Sequence, residues 1–331
     1  MEIRTCLKAI EEILQAGGIE EAACEARLIL GHLLGCRPGR LFLREGGVDE
    51  AAREAALQLA HKRAARQPLQ YLLGEQQFMG LDFLVNEKTL IPRWDTETMV
   101  EQAICLMREN ENRCLIVETP ELPDKARRGQ RAPLFDRRAT PHGAERAGDS
   151  VFSNLLNTGS KTPLIADLCC GGGAIAVSMA KALPKARLIA ADICSEALQT
   201  ARWNAEKHGV EDRVEFLRGD LLDALHGREG RLDMLVCNPP YIPSGEIEAL
   251  PPEVRQEPRL ALDGGEDGLK FYRLLAAGAA PFLREEGWLV LEIGDGQKDD
   301  VCRLLRESGW QIERVTQDLA GRERAVFARR G

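Results

Sequence analysis

A chain of 331 residues with 44% hydrophobic residues is long enough for one large core and a smaller one, and needs no disulfide or metal staple to hold a fold. Its ten cysteines include no Cys-x-x-Cys pair and its start, Met1-Glu2-Ile3-Arg4-Thr5, is not an apolar signal segment, so reduced thiols in a cytoplasm are expected. A net charge of -8 argues against broad phosphate-backbone binding, and the most apolar stretch, 164–183, carries Asp167 and Lys181, so no membrane span is expected.

Residues 1–67 read as helices. Ile3, Leu7, Ile10 and Leu14 recur at helical spacing before Gly17-Gly18, and Ala22, Ala26, Ile29, Leu30 and Leu33 repeat the pattern before Gly35. A third helix runs from about Glu50 to Gln67-Pro68. His32 and His61 are lone histidines in helical patterns, better read as packing or solvent-facing than as ligands. A small bundle without catalytic chemistry is expected to serve recognition.

The texture changes in the linker, residues 68–92. The runs Leu69–Gly74 and Phe78–Val85 predict the two strands of a β-hairpin. Leu90-Ile91-Pro92-Arg93-Trp94-Asp95-Thr96-Glu97 then leads into a helix through about Glu109, opening the larger unit, 93–331. Residues 119–162 hold eight Lys or Arg against five Asp or Glu, together with Pro120, Pro123, Pro133 and Pro141. They predict a disordered insertion, with a basic contact to ribosomal RNA as the alternative.

An α/β pattern follows. Leu164–Leu168 reads as a strand, then Cys169-Cys170-Gly171-Gly172-Gly173 and a helix from Ala174 to Ala182. A glycine-rich turn between strand and helix lets a cofactor approach the backbone, a feature shared with dinucleotide binders. The second strand, Ala186 to Ala191, ends in Asp192, whose carboxylate is positioned to accept both hydroxyls of a ribose. The third, Arg213 to Leu217, runs into Gly219-Asp220-Leu221-Leu222. The fourth, Leu232 to Cys237, stops at Asn238-Pro239-Pro240-Tyr241, because neither proline has an N–H to continue a ladder. The Asn238 side chain and a neighbouring carbonyl then offer two acceptors that match the N–H pair of a planar amide or aromatic amine, and Tyr241 offers a ring for stacking. A helix near 272–283 and strands near 287–294, 310–315 and the C-terminus complete the pattern. All the candidate residues fall at carboxyl strand ends, where open α/β sheets bind ligands. No Cys/His cluster has metal-ligand spacing.

Asn238-Pro239-Pro240-Tyr241 resembles the signature of S-adenosylmethionine-dependent amino-methyltransferases. The linker, from Gln70-Tyr71 to Ile91-Pro92-Arg93 and Asp95-Thr96-Glu97, is similar to that of the release factor glutamine methyltransferase family, and the likeness extends from about Pro68 to Arg329 outside the insertion. It implies a Rossmann-like class I methyltransferase fold, α/β, with a seven-stranded, mostly parallel sheet whose last strand is antiparallel. It implies S-adenosylmethionine as cofactor, contacted by Asp167, Cys169, Cys170, Gly171, Gly172, Gly173, Asp192, Asp220, Leu221 and Asn238. The implied acceptor is the glutamine of the Gly-Gly-Gln loop of class-1 peptide-chain release factors, held by Asn238, Pro239, Pro240 and Tyr241, with catalysis by Asn238, Pro239 and Tyr241. Rival acceptors are a glutamine on a ribosomal protein and adenine N6; a non-catalytic binding protein is the alternative from another class. Two positions depart from the family: Trp94 replaces the usual proline, and Cys169 replaces the first glycine, which predicts φ below zero there or an altered turn.

Overall fold

The computed structural model describes every residue except Glu45, residues 118–161, Leu319 and Gly331; the expected disorder of the insertion lies outside the described residues. Helices α1 (Ile3–Ala16), α2 (Ala22–Leu33) and α3 (Glu50–Ala64) turn their apolar stripes inward. Leu7, Ile10 and Leu14 meet Ala26, Ile29 and Leu30, with Ala56 and Ala60, in a core of their own. The Asp49 side chain caps α3 by accepting from the Ala52 N–H at 2.7 Å. Gly17 is required where the chains cross, since a Cβ there would lie 2.6 Å from that of Ala64.

The first expected hairpin strand is instead a short helix, α4 (Leu69–Leu73), ended by Gly74 in the left-handed region at φ 73°. Leu69 and Leu73 lie four apart and both pack on the helical bundle, so the helical period wins over the alternation read in sequence. The hairpin itself is β1 (Glu75–Phe78) paired antiparallel with β2 (Leu81–Leu84). Its two-residue turn has Met79 at φ 52° and Gly80 at φ 72°, the sign pattern whose twist matches paired strands. Helix α5 (Trp94–Val117) follows, with Trp94 at the first helical position, where a proline is pre-organised.

The larger unit is a seven-stranded sheet of β3 (Leu164–Leu168), β4 (Arg187–Asp192), β5 (Val214–Arg218), β6 (Leu232–Cys237), β7 (Leu283–Glu292), β8 (Trp310–Gln317) and β9 (Glu323–Arg330), in the order β5-β4-β3-β6-β7-β9-β8. Only β9 runs against the rest, pairing antiparallel with both β7 and β8. Both faces are covered: Ile165 points into one apolar layer with α5, α6 (Ala174–Ala182) and α7 (Ser195–His208), while Ala166 and Leu168 point into the other, with α9 (Lys270–Gly278) and α10 (Lys298–Glu307). The four-residue α8 (Arg259–Leu262) lies between β6 and α9. The helix expected to reach Leu283 stops at Gly278, ahead of Pro281, and Leu283 starts β7. Chain order reverses across β3, with β4 on one side and β6 on the other, the switch point that opens a crevice at the carboxyl edge.

Ion pairs tie the bundle to this sheet. Arg63, 8% exposed, forks onto Glu25 at 2.7 and 3.1 Å and reaches Glu253, beyond β6, at 2.8 Å; Arg66 joins Glu253 at 3.0 Å. Replacing Arg63 with Ala leaves two half-enclosed carboxylates without their main partner, so chemical denaturation is expected to read a loss of about 2 kcal/mol.

Candidate active site

The linker and the sheet build the site together. Asn204 of α7, fully buried, accepts from the Leu84 N–H at 2.7 Å and donates to the carbonyls of Leu84 at 3.0 Å and Gly172 at 2.9 Å, so one side chain fastens the hairpin to the glycine turn. The Tyr71 hydroxyl donates to the Thr89 carbonyl at 2.6 Å, and Thr89 packs beside Gly172. Glu257 accepts from the Ile91 N–H at 3.0 Å and pairs with Arg93, which fixes the start of α5.

From that start three neighbouring side chains diverge. Glu97 accepts from the Met79 N–H of the hairpin at 2.6 Å. Asp95 pairs with Arg324 of β9 at 3.3 Å. Thr96, 4% exposed, turns inward and accepts from Asn238 Nδ2 at 3.4 Å. Sequence reading took Asp95-Thr96-Glu97 only as a family likeness; their separate tasks depend on which elements surround the helix start.

The crevice at the switch point is lined by Leu90, Cys169, Gly171, Asp192, Leu221 and Asn238, among others, and holds about 930 Å3 of atom-free space including the part open to solvent. Asp220 and Pro240 also line it. Asp192 accepts from the Gly171 N–H at 2.8 Å and the Cys194 N–H at 2.9 Å, and a carboxylate so engaged retains lone pairs for two ligand hydroxyls. Burial nevertheless raises its pKa. Asp167 is not on the crevice wall: wholly enclosed beneath the turn, it accepts from the Ala176 N–H at 3.0 Å and holds the start of α6, with Oδ1 unpartnered and its pKa pushed well up by burial. Gly173, at φ 79°, sits where a Cβ would meet that of Ala201 at 2.9 Å, so the last glycine serves helix packing. Cys170 is buried under the turn.

Cys169 corrects one expectation. Its φ is 56°, in the left-handed region, because the tight exit from β3 demands it and a thiol does not relieve the demand. Leu221 on the facing wall is similarly held at φ 46°, and two such residues on one crevice mark a pre-shaped site.

Asn238 follows β6 directly. Among the described residues nothing donates to its Oδ1 or to the Pro239 carbonyl. Pro239 and Pro240 are buried. The backbone of Tyr241 is clamped: Gln297 Nε2 donates to its carbonyl at 2.9 Å, a Cβ on Gly264 would strike it at 2.8 Å and one on Gly268 would strike its carbonyl oxygen, while a Cβ on Gly294 would meet the Tyr241 ring at 3.0 Å. Burial, then the charge of Glu292, raises the Tyr241 pKa, leaving a neutral hydroxyl. Gln297 and the three glycines escaped sequence reading, since their only signal there was a glycine-rich run.

The chain matches the family model described as PrmC N-terminal domain over residues 5–74 and that described as Methyltransferase small domain over 146–250. It is 40% identical to the release factor glutamine methyltransferase of Moorella thermoacetica, over 100% of this chain and 99% of that one. The chain belongs to the release factor glutamine methyltransferase family. Proteins of that name from Geobacter sulfurreducens and Bradyrhizobium diazoefficiens are 35% and 34% identical, each over 99% of this chain and over 97% and 95% of theirs. The N-terminal helices, which share little local motif, are thus part of the family likeness. Among the described residues no helix is long and apolar enough to cross a membrane.

Glu292, the last residue of β7, is 1% exposed with Oε2 unpartnered. Burial raises its pKa to about 7, against the opposing effects of the Thr96 hydroxyl and the Arg324 charge. A folded pKa above the unfolded one of about 4.3 stabilises the fold fully below that lower value, and the contribution, on the order of 3 kcal/mol, is lost as pH rises through about 7. Melting temperature should therefore fall between about pH 5 and about pH 8, less steeply in E292Q. Relieving the left-handed strain with C169G should raise stability by about 1 kcal/mol in the same melts.

Proposed function

We propose that this enzyme transfers a methyl group from S-adenosylmethionine to N5 of the glutamine in the Gly-Gly-Gln loop of class-1 peptide-chain release factors, in the cytoplasm. The observation that carries this reading is the amide of Asn238: Nδ2 is spent on Thr96 at 3.4 Å, so Oδ1 and the adjacent Pro239 carbonyl are the acceptors left for a ligand. Two acceptors side by side suit a primary amide, which brings two N–H donors and no charge. The names of the full-length relatives support the acceptor, and helices α1 to α3 would help to dock it.

An amide nitrogen is a weak nucleophile because its lone pair is delocalised into the carbonyl. Asn238 Oδ1 and the Pro239 carbonyl would grip both hydrogens, aim the nitrogen and favour the positive charge that grows on it as the methyl's bond to sulfur breaks and its bond to nitrogen forms; the nitrogen would then release one proton to water. Positioning and fixed dipoles would supply the rate, without a strong general base. Pro240 would wall the acceptor site and Tyr241, its backbone clamped, would flank the glutamine side chain. Asp192 would accept the two ribose hydroxyls of the cofactor, the Gly171 backbone would admit its chain, and Asp220 and Leu221 would meet the adenine amine and ring. Bound there, S-adenosylmethionine would supply an electrophilic methyl on a sulfonium. Cys169 and Gly171 to Gly173 would shape that pocket, with Asp167 and Cys170 supporting the turn from beneath. Adenine N6 presents a similar N–H pair, but the charge of -8 disfavours a nucleic-acid acceptor.

Replacing Asn238 with Ala should lower turnover on purified release factor by roughly a hundredfold or more, with cofactor affinity by calorimetry much less affected. Near-normal turnover in N238A would refute this assignment of the acceptor grip.

A further inference from the structure

An asparagine amide can sit either way round at almost equal steric cost, because its oxygen and nitrogen ends have nearly the same shape. For the acceptor grip described above only one orientation works, and nothing in Asn238 itself chooses it. The choice must come from what lies behind the amide. Two groups lie there. Thr96 Oγ1 stands 3.4 Å from Nδ2. Glu292 lies at the carboxyl end of β7, next to β6 in the sheet, buried with Oε2 unpartnered, and the nearby Thr96 hydroxyl and Asn238 side chain favour its charged form. Thr96 Oγ1 accepts from Nδ2, so its oxygen offers Asn238 a lone pair and its own proton is left for another acceptor, for which the Glu292 carboxylate is the charged group at hand.

We infer that Glu292 and Thr96 are positioning residues that fix the Asn238 amide with nitrogen inward and oxygen toward the crevice. The inference rests on the proposed reading of Asn238 as acceptor for the substrate amide. With the amide reversed, Oδ1 would face a buried carboxylate and a hydroxyl oxygen with no proton to share, an arrangement of acceptors alone where water cannot intervene. Glu292 is not among the residues that line the crevice. Its effect passes through Asn238.

The selection depends on the charge of Glu292. Once protonated, the carboxyl becomes a donor that can serve Oδ1, and the reversed amide becomes tolerable. The groups that bear on this proton are Asp95 from α5, Arg324 from β9 and Tyr241 after β6. Tyr272 of α9 also bears on it, donating to the Glu292 carbonyl at 2.9 Å, and Asp318 holds Arg324 at 3.0 Å. Burial is the largest influence and moves the titration up to about 7. Turnover limited by amide orientation therefore falls as pH drops through neutrality.

The test is steady-state kinetics across pH on the full-length protein, with S-adenosylmethionine and purified release factor, for wild type, E292Q, T96V and T96S. For E292Q the expected result is a kcat roughly tenfold or more below wild type above about pH 8, a KM for S-adenosylmethionine within about twofold, and loss of the acid limb near neutrality. Its melting temperature should match or exceed wild type, because an uncharged amide replaces a buried carboxylate. T96V should lose turnover in the same way, and T96S, which keeps the hydroxyl, should restore most of it. Wild-type kcat and pH profile in both E292Q and T96V would overturn the inference while leaving the acceptor reading intact. So would a fall in kcat that tracks a fall in melting temperature. A wild-type protein that transfers no methyl to release factor would overturn the acceptor reading itself, and this inference with it.

Discussion

A strand that runs into two prolines cannot hand its hydrogen bonds to a neighbour, and the site depends on that constraint. At the end of β6 the ladder stops because Pro239 and Pro240 have no N–H, and the carbonyl of Pro239 is left without a donor among the described residues. Inside a sheet such an end would be a defect. Here it lies at the switch point between β3 and β6, where the crevice needs unspent acceptors.

Keeping acceptors free requires that everything around them be fixed, and the chain does this from three directions. The hairpin and the start of α5 approach from the N-terminal side, held by Asn204 and Glu257. Gln297 and the glycines at 264 and 268 close on the backbone of Tyr241 from the far side, and Gly294 lies against its ring. Glu292 and Thr96 stand behind Asn238. The buried carboxylate destabilises the fold once it is charged, so the site retains at neutral pH a group that packing alone would replace. Cys169 and Leu221 add left-handed backbone on the crevice walls. Two left-handed residues, Cys169 and Leu221, and two buried carboxylates with an unpartnered oxygen, Asp167 and Glu292, thus gather near the carboxyl edge of the sheet.

The parts that were legible in sequence are those whose signal is local. A glycine turn after a short apolar run, an acidic residue at the next strand end and a double proline after a third each announce themselves within a few residues, and the strands of the sheet follow from them. Leu69–Leu73 was misread because five residues satisfy both periods, and only the bundle against which Leu69 and Leu73 pack decides between them. Cys169 was misread because a side chain at a glycine position was expected to change the backbone, whereas the geometry of the exit from β3 prevails. Glu292 gave no signal: its role exists because β7 lies beside β6 and α5 begins nearby, facts of topology that no window of sequence contains. Asp167 was legible as an acidic residue inside a strand, yet its neighbour is the N–H of Ala176 rather than the crevice.

The central claim is that the acceptors at Asn238 and Pro239 receive the side-chain amide of one glutamine. The most direct measurement is peptide-mapping mass spectrometry of a purified class-1 release factor after incubation with this enzyme and S-adenosylmethionine. A single added methyl on the glutamine of the Gly-Gly-Gln loop is the predicted result. Cofactor binding with no methyl on that glutamine, or a methyl at another residue, would contradict the account.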